Sequence, residues 1–315
     1  MKAHLWFLLP VLVVLPLVSS ADPTDLASLQ ARVAKGDAEA ELELGRDYHL
    51  GTGVTQDFAK AAELYRKAAA QGNAKAMFNL GYLSAHAQGM AKDIPTAAQW
   101  YRKAADKGLP AGQLALGMLY YFGDNGIPQD FPSAVKWLTL AAQHEDAPAQ
   151  EGPAANALAS IYETGMTGVP ENGEKSLSWY TKGAELGYPL AQGNLGRVYF
   201  DATIVKQDRV RAYVWLTLAA DQGDMNAEHE LADYNGGNAF SDQEKAEGDR
   251  EVQAYAMKRR LHRQARIALD PLPPVPAAAS TSAGTNAAPA AALPPVTAKT
   301  SATAAAPTAG GAHTN

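Results

Sequence analysis

Residues 37–72 read DAEAELELGRDYHLGTGVTQDFAKAAELYRKAAAQG, and residues 73–108 read NAKAMFNLGYLSAHAQGMAKDIPTAAQWYRKAADKG. The second stretch is the first written again. Leu44-Gly45 returns as Leu80-Gly81, Asp57 as Asp93, Ala61 as Ala97, and Ala68-Ala69 as Ala104-Ala105. A fixed period of this length marks a chain built from stacked supersecondary units, none of which can bury its apolar face alone.

The pattern continues toward the C-terminus. Leu116-Gly117, Leu158-Ala159, Leu195-Gly196 and Leu231-Ala232 extend the leucine pair, and a small residue stands four positions before each leucine: Ala40, Ala76, Gly112, Ala154, Ala191 and Ala227. That spacing is one helix face. The small residue admits a second backbone closely, and the leucine one turn on fills the core beside it. A second small-residue row follows. Ala141-Ala142, Gly183-Ala184 and Ala219-Ala220 continue the alanine pairs, with Ala61, Ala97, Ala134, Ser176 and Ala212 seven positions earlier. An i, i+7 row is again one helix face, so each unit holds two helices. Asp57, Asp93, Asp130, Asn172 and Asp208 precede the second helix as N-caps. Pro95 and Pro132 fit its first turn, and Gly72, Gly108, Gly187 and Gly223 its end.

With Leu44-Gly45, Tyr48, Gly51, Gly53-Val54, Asp57, Ala61, Tyr65 and Lys67-Ala68-Ala69, the first unit closely resembles the Sel1-like repeat, a branch of the tetratricopeptide class. The resemblance covers about residues 24–265 and implies an all-α fold, a right-handed α-solenoid of stacked antiparallel helix pairs. The units fall at 37–72, 73–108, 109–145, 146–187 and 188–223. A leading half-unit at about Asp25 to Lys35 is expected to cap one end. Residues 224–269, with a polar helix from about Asp242 to Arg266, are expected to cap the other. The departures are few. Ser84 replaces the tyrosine found at 48, 120, 162 and 199, and the fifth unit reads Ala202-Thr203-Ile204-Val205 without turn glycines. An enlarged linker from Gln143 to Pro153 predicts a bend or altered stacking, and a place for a functional insertion.

Outside 22–269 the composition changes. Lys2, an apolar run from Leu5 to Val18 and Ser19-Ser20-Ala21 make residues 1–21 an expected signal peptide cleaved near Ala21. Pro10 and Pro16 interrupt a run already short for a membrane span, so no stable insertion is expected after cleavage. The resemblance and the leader together suggest a bacterial periplasmic or secreted protein. Residues 270–315 are alanine-, proline- and threonine-rich with no aromatic residue, too little apolar surface to offset chain entropy, so a disordered tail is predicted.

The chemistry expected is slight. The chain has no cysteine, which removes disulfides, thiolate metal sites and cysteine nucleophiles, and its net charge of −6 gives no electrostatic reason for nucleic-acid binding. His229-Glu230 is followed by Asp233 where a zinc-protease helix needs histidine, and there is no P-loop and no nucleophile elbow. Asp124-Asn125-Gly126 lacks the remaining ligands of a calcium loop and reads as a turn. No cofactor, no metal and no enzymatic activity are expected. Trp100, Trp137, Trp179 and Trp215 share one repeat position, so they are read as packing between units rather than as a sugar-stacking stripe.

Binding residues are sought where the repeats differ. The resemblance implies that the first helices line the concave face. Three positions of those helices vary at i, i+3, i+7 spacing: Glu43, Asn79, Ala115, Ala157 and Asn194; Arg46, Tyr82, Met118, Ser160 and Arg197; Leu50, His86, Phe122, Thr164 and Asp201. A neighbouring column adds His49, Tyr121, Glu163 and Phe200. From these, Arg46, Tyr82, His86, Met118, Tyr121, Phe122, Arg197 and Phe200 are the candidate contacts, with Tyr82, Met118, Tyr121 and Phe122 expected as an apolar patch. The expected function is an exported scaffold or adaptor that binds a protein partner in its groove. Two alternatives stand beside it: a module binding envelope polysaccharide or peptidoglycan, and an immunity or inhibitor protein against a secreted toxin.

Overall fold

The structure, a computed structural model, describes residues 23–269 apart from 125, 145 and 238, with side chains described from 26 to 258. The expected signal peptide at 1–21 and the expected tail at 270–315 lie outside the described residues. Thirteen helices follow one another among the described residues: α1 (Pro23–Ala34), α2 (Ala38–Leu50), α3 (Phe58–Ala70), α4 (Ala74–Ala85), α5 (Ile94–Asp106), α6 (Pro110–Phe122), α7 (Phe131–Ala141), α8 (Pro148–Thr164), α9 (Gly173–Glu185), α10 (Pro189–Asp201), α11 (Arg209–Ala220), α12 (Met225–Gly236) and α13 (Asp242–Leu269).

The caps read from sequence are the caps found. Asp57, Asp93, Asp130, Asn172 and Asp208 each accept the backbone N–H three residues on, at 2.8–3.1 Å. Each of these cap residues also donates its own N–H to a carbonyl at one fixed place in the preceding helix: Tyr48, Ser84, Tyr120, Tyr162 or Tyr199. The column that carries tyrosine in four units therefore ties the two helices of a unit through its backbone. Ser84 keeps that bond and adds another, from its hydroxyl to the Asp93 carbonyl at 2.8 Å. Gly72, Gly108, Gly187 and Gly223 close the second helices with φ between 79° and 91°.

From α1 to α12 each helix packs on the next, as expected of stacked helix pairs, and α13 packs back on α11. The small-residue column explains how close the pairs come. A Cβ built on Gly45, Gly81, Gly117 or Gly196 would meet Tyr65, Tyr101, Leu138 or Leu216 at 2.6–2.8 Å. Units are also clasped to their neighbours. Gly89, Gly126 and Gly168, all at positive φ, lie against Phe58, Pro95 and Pro132 at the start of the previous unit's second helix. In the fifth unit the glycine changes sides, and Ile204 of the loop rests on Gly173 of that helix. Ala202 supplies the left-handed residue there, at φ 55°.

Helix α6 touches α8 and α8 touches α10, whereas no comparable contact joins α3, α5, α7, α9 and α11 to one another. First helices α6, α8 and α10 therefore lie closer together than the second helices do. The row α2, α4, α6, α8 and α10 is the side that the resemblance implies is concave, and we call it the inner face. Trp137 and Trp215 are buried in the core clusters, and Trp100 and Trp179 pack against them.

The segment 143–153 differs from the loop-like insertion expected. Pro148 opens α8, which continues through Pro153, and the helix is buried from Gln150 to Ile161. A proline in the first turn sacrifices no helix hydrogen bond. The carboxylate of Glu151, which the extra turn carries inside, is met by Lys182 at 3.0 Å, and the same ammonium donates to the Ala142 carbonyl at 2.7 Å. Residues 148–151 lengthen a core helix because the one charge among them, Glu151, has a partner there. Asp124 and Ile127 exchange backbone hydrogen bonds at 2.6–2.7 Å, so that segment is a turn, as read.

Candidate functional site: the inner face

The inner face has three zones. Between α2, α4 and the start of α6 lies an open cavity of about 350 Å³, lined by Leu42, Arg46, His49, Phe78 and Tyr82 with Tyr65 behind them. Leu109, Pro110, Ala147 and Gln150 close its far wall. His49 stands edge-on to Phe58 with centroids 5.6 Å apart, and its Nδ1 lies 3.4 Å from the Tyr65 hydroxyl. Burial, with the neighbouring His86 acting in the same direction, pushes its pKa below the usual histidine range, so at neutral pH it is an uncharged aromatic wall. Tyr82 stacks on His86 at 4.0 Å, and the Tyr82 backbone carbonyl lies 2.9 Å from His86 Nδ1. Glu43 at the rim is paired with Arg32 at 3.2 Å, and Glu39 accepts from Asn73 at 3.0 Å.

The middle zone is less open than expected. Met118 is buried in a core cluster and has little surface to offer a partner. Tyr121 is half-buried, its hydroxyl 3.2 Å from Ser160 Oγ and its ring edge-on to Phe122 at 4.9 Å. Phe122 is 42% exposed. Of the four residues expected as one apolar patch, Phe122 is open to solvent, Tyr82 belongs to the cavity, and Met118 and Tyr121 help build the core.

The third zone is polar. Arg197 donates to both oxygens of Glu163 at 3.2 and 3.3 Å, and the buried Tyr180 hydroxyl donates to the same carboxylate at 2.7 Å. Glu163 is only 7% exposed, so its charge is balanced inside the protein rather than by water. Glu230 is pushed up to about 7, mainly by burial, with Asp201 and Asp224 adding to the rise and Arg197 opposing it. Phe200 stacks on Tyr234 at 3.7 Å and meets Phe240 edge-on.

The eight candidate residues thus separate into a cavity group (Arg46 and Tyr82, with His86 stacked on Tyr82), a central group (Met118, Tyr121, Phe122) and a far group (Arg197, Phe200). Sequence columns missed the far wall of the cavity, because Leu109 and Ala147 precede helices instead of lying on their variable faces. They also missed Tyr180, a second-helix residue whose hydroxyl reaches through the pair. No group of three or more potential metal ligands occurs among the described residues.

Fold and surface together define a helical-repeat protein. The Sel1 repeat model matches residues 38–73, 74–109, 110–146, 152–188 and 189–224, more than half of the sequence. The chain belongs to the Sel1 repeat family, whose members are protein-interaction scaffolds. The unmatched residues 147–151 coincide with the extra first turn of α8. A Sel1 repeat protein from Oxalobacter formigenes is similar at 29% identity and a TM-score of 0.61, covering 73% of this chain and 93% of that one. A protective antigen of uropathogenic Escherichia coli is 24% identical with a TM-score of 0.47, over 84% of this chain and 61% of that one. An immunity protein from Pseudomonas aeruginosa is 22% identical with a TM-score of 0.39, over 65% and 74%. No curated protein sequence matches the chain.

Proposed function

We propose that this chain is an exported scaffold that seats a protein partner on its inner face, with the cavity between α2, α4 and α6 as the anchoring point. The observation that carries the reading is the make-up of that cavity. It is concave, walled by Leu42, His49, Phe78 and Tyr82, and rimmed by Arg46, at positions where the repeats differ from one another. Apolar walls with a few polar groups at the edge suit a side-chain anchor of a partner, and such anchors dominate binding energy. Export rests on the N-terminal pattern of Lys2, the apolar run and Ser19-Ser20-Ala21.

Affinity capture from an envelope extract, with the chain beginning at Asp22 as bait, tests both parts. Tyr82→Ala is expected to weaken capture of the main partner by about thirty-fold, the size of a hot-spot loss, with helicity unchanged by circular dichroism. Phe122→Ala is expected to weaken it less. Undiminished capture by both variants removes the inner face as the site.

A further inference from the structure

Every internal unit joins its first helix to its second through the same contact. The residue after the repeat leucine, Gly45, Gly81, Gly117 or Gly196, lies against Tyr65, Tyr101, Leu138 or Leu216 of the second helix. In the fourth unit alanine takes the glycine's place, and Ala159 shares a core cluster with Tyr180. All five of these second-helix residues are buried, and each stands seven positions before the glycine at, or one to two residues past, the end of its helix or at the corresponding position.

At the two ends of the stack this contact is half made. Helix α12 carries the leucine pair as Leu231-Ala232, yet α11 is its one substantial neighbour among the described residues. Helix α13, expected to cap this end, packs on α11 instead. Ala232 is therefore exposed and Leu231 half-buried, whereas Leu44, Leu80, Leu116, Leu158 and Leu195 are buried. The other end of the chain carries the missing half. Helix α1 packs on α2 as α3 packs on α4, and Gly36 follows it at φ 77° as Gly72 follows α3. Seven positions before Gly36 stands Leu29, where α3 has Tyr65, and Leu138 and Leu216 show that leucine serves there. Leu29 is only half-buried, because among the described residues no first helix precedes α1.

We propose that copies of this chain stack end to end, with α1 of one copy pairing with α12 of another as the second helix of a sixth unit. Leu29 of the one rests on Ala232 of the other, and the alternation of first and second helices continues from copy to copy. A second copy is favoured over an unrelated partner because this chain carries both halves of the contact, in the register of its five internal contacts. The two surfaces differ, so the joint is heterologous and leaves an α1 and an α12 free to add further copies. Position 25 sets its strength. The same register aligns Asp25 with Ala61, Ala97, Ala134, Ser176 and Ala212, and an acid is costly in a packed contact. A single helix pair is also a small interface. The association is therefore weak and reversible. It is independent of the inner-face reading.

Sedimentation velocity of the purified chain between micromolar and millimolar concentration tests it. The sedimentation coefficient is expected to rise with concentration. Leu29→Glu and Ala232→Glu should each abolish that rise, with helicity unchanged by circular dichroism. Mixing the two variants should restore association and stop it at dimers, because each keeps one intact surface and the two intact surfaces are complementary. Asp25→Ala should tighten association of the otherwise unaltered chain by about ten-fold. A coefficient that stays constant with concentration, association that survives either glutamate substitution, a mixture that stays monomeric, or weaker association of Asp25→Ala each overturns the proposal.

Discussion

Gly81 has no room for a methyl group. A Cβ there would meet two ring carbons of Tyr101 at 2.6 Å and the Ala97 carbonyl oxygen at 3.2 Å, and Tyr101 is itself buried. Gly81→Ala should cost roughly 2 kcal/mol through overpacking, read as a lower urea midpoint at unchanged slope. Gly108, with nothing within 4 Å, faces only backbone strain at φ 80°, so Gly108→Ala should cost about 1 kcal/mol. Charge follows burial in the same way. The Glu230 carboxyl rises from the ordinary 4.5 to about 7 on folding, so the folded chain holds a proton that the unfolded chain releases. Its stabilising contribution is complete below pH 4.5, declines as pH rises, and is lost above 7. Glu230→Gln, neutral throughout, should flatten the dependence of melting temperature on pH between 4.5 and 7. An unchanged dependence would assign it to other groups.

At the scale of elements, α8 shows how an insertion joins a core. The residues before Pro153 read as a linker, since two prolines and a glycine in eleven residues punctuate loops more often than helices. Tertiary packing overrode that signal. Glu151 is 4% exposed on its side chain and is paired with Lys182 from α9. Lys182→Met should destabilise by roughly 2 kcal/mol, less than the roughly 3–5 kcal/mol of a fully buried broken pair, because Lys182 is partly open to water. Adding Glu151→Gln should restore much of the loss in a double-mutant cycle. The N-caps were plain in the sequence for the opposite reason. A short acceptor such as Asp130 acts on its own helix, three residues away, and needs no other part of the chain.

At the scale of the molecule, stability in a stacked chain is a sum of units and the interfaces between them. The ends have one neighbour and the middle has two. Helix α12 buries only Ala227, whereas α4, α6 and α8 each bury eight or more residues. Hydrogen exchange should therefore be slowest in α4 to α9 and fastest in α1 and α12. Uniform protection from end to end would instead mean that the chain unfolds as one cooperative body.

The sequence by itself determined the number of units, the two helices in each, their caps and the close helix contacts. Period, small-residue spacing and capping are local, and repetition displays them five times. Only the tertiary structure decided which variable side chains are surface and which are core. Met118 and Tyr82 occupy the same repeat position, yet one is buried and the other lines a cavity. The physical reason is the spacing of the first helices. Where first helices crowd together, as α6 does with α8, a side chain between them is covered. Where α2 and α4 leave a gap that Leu109 and Ala147 wall from a distance, the same position stays open.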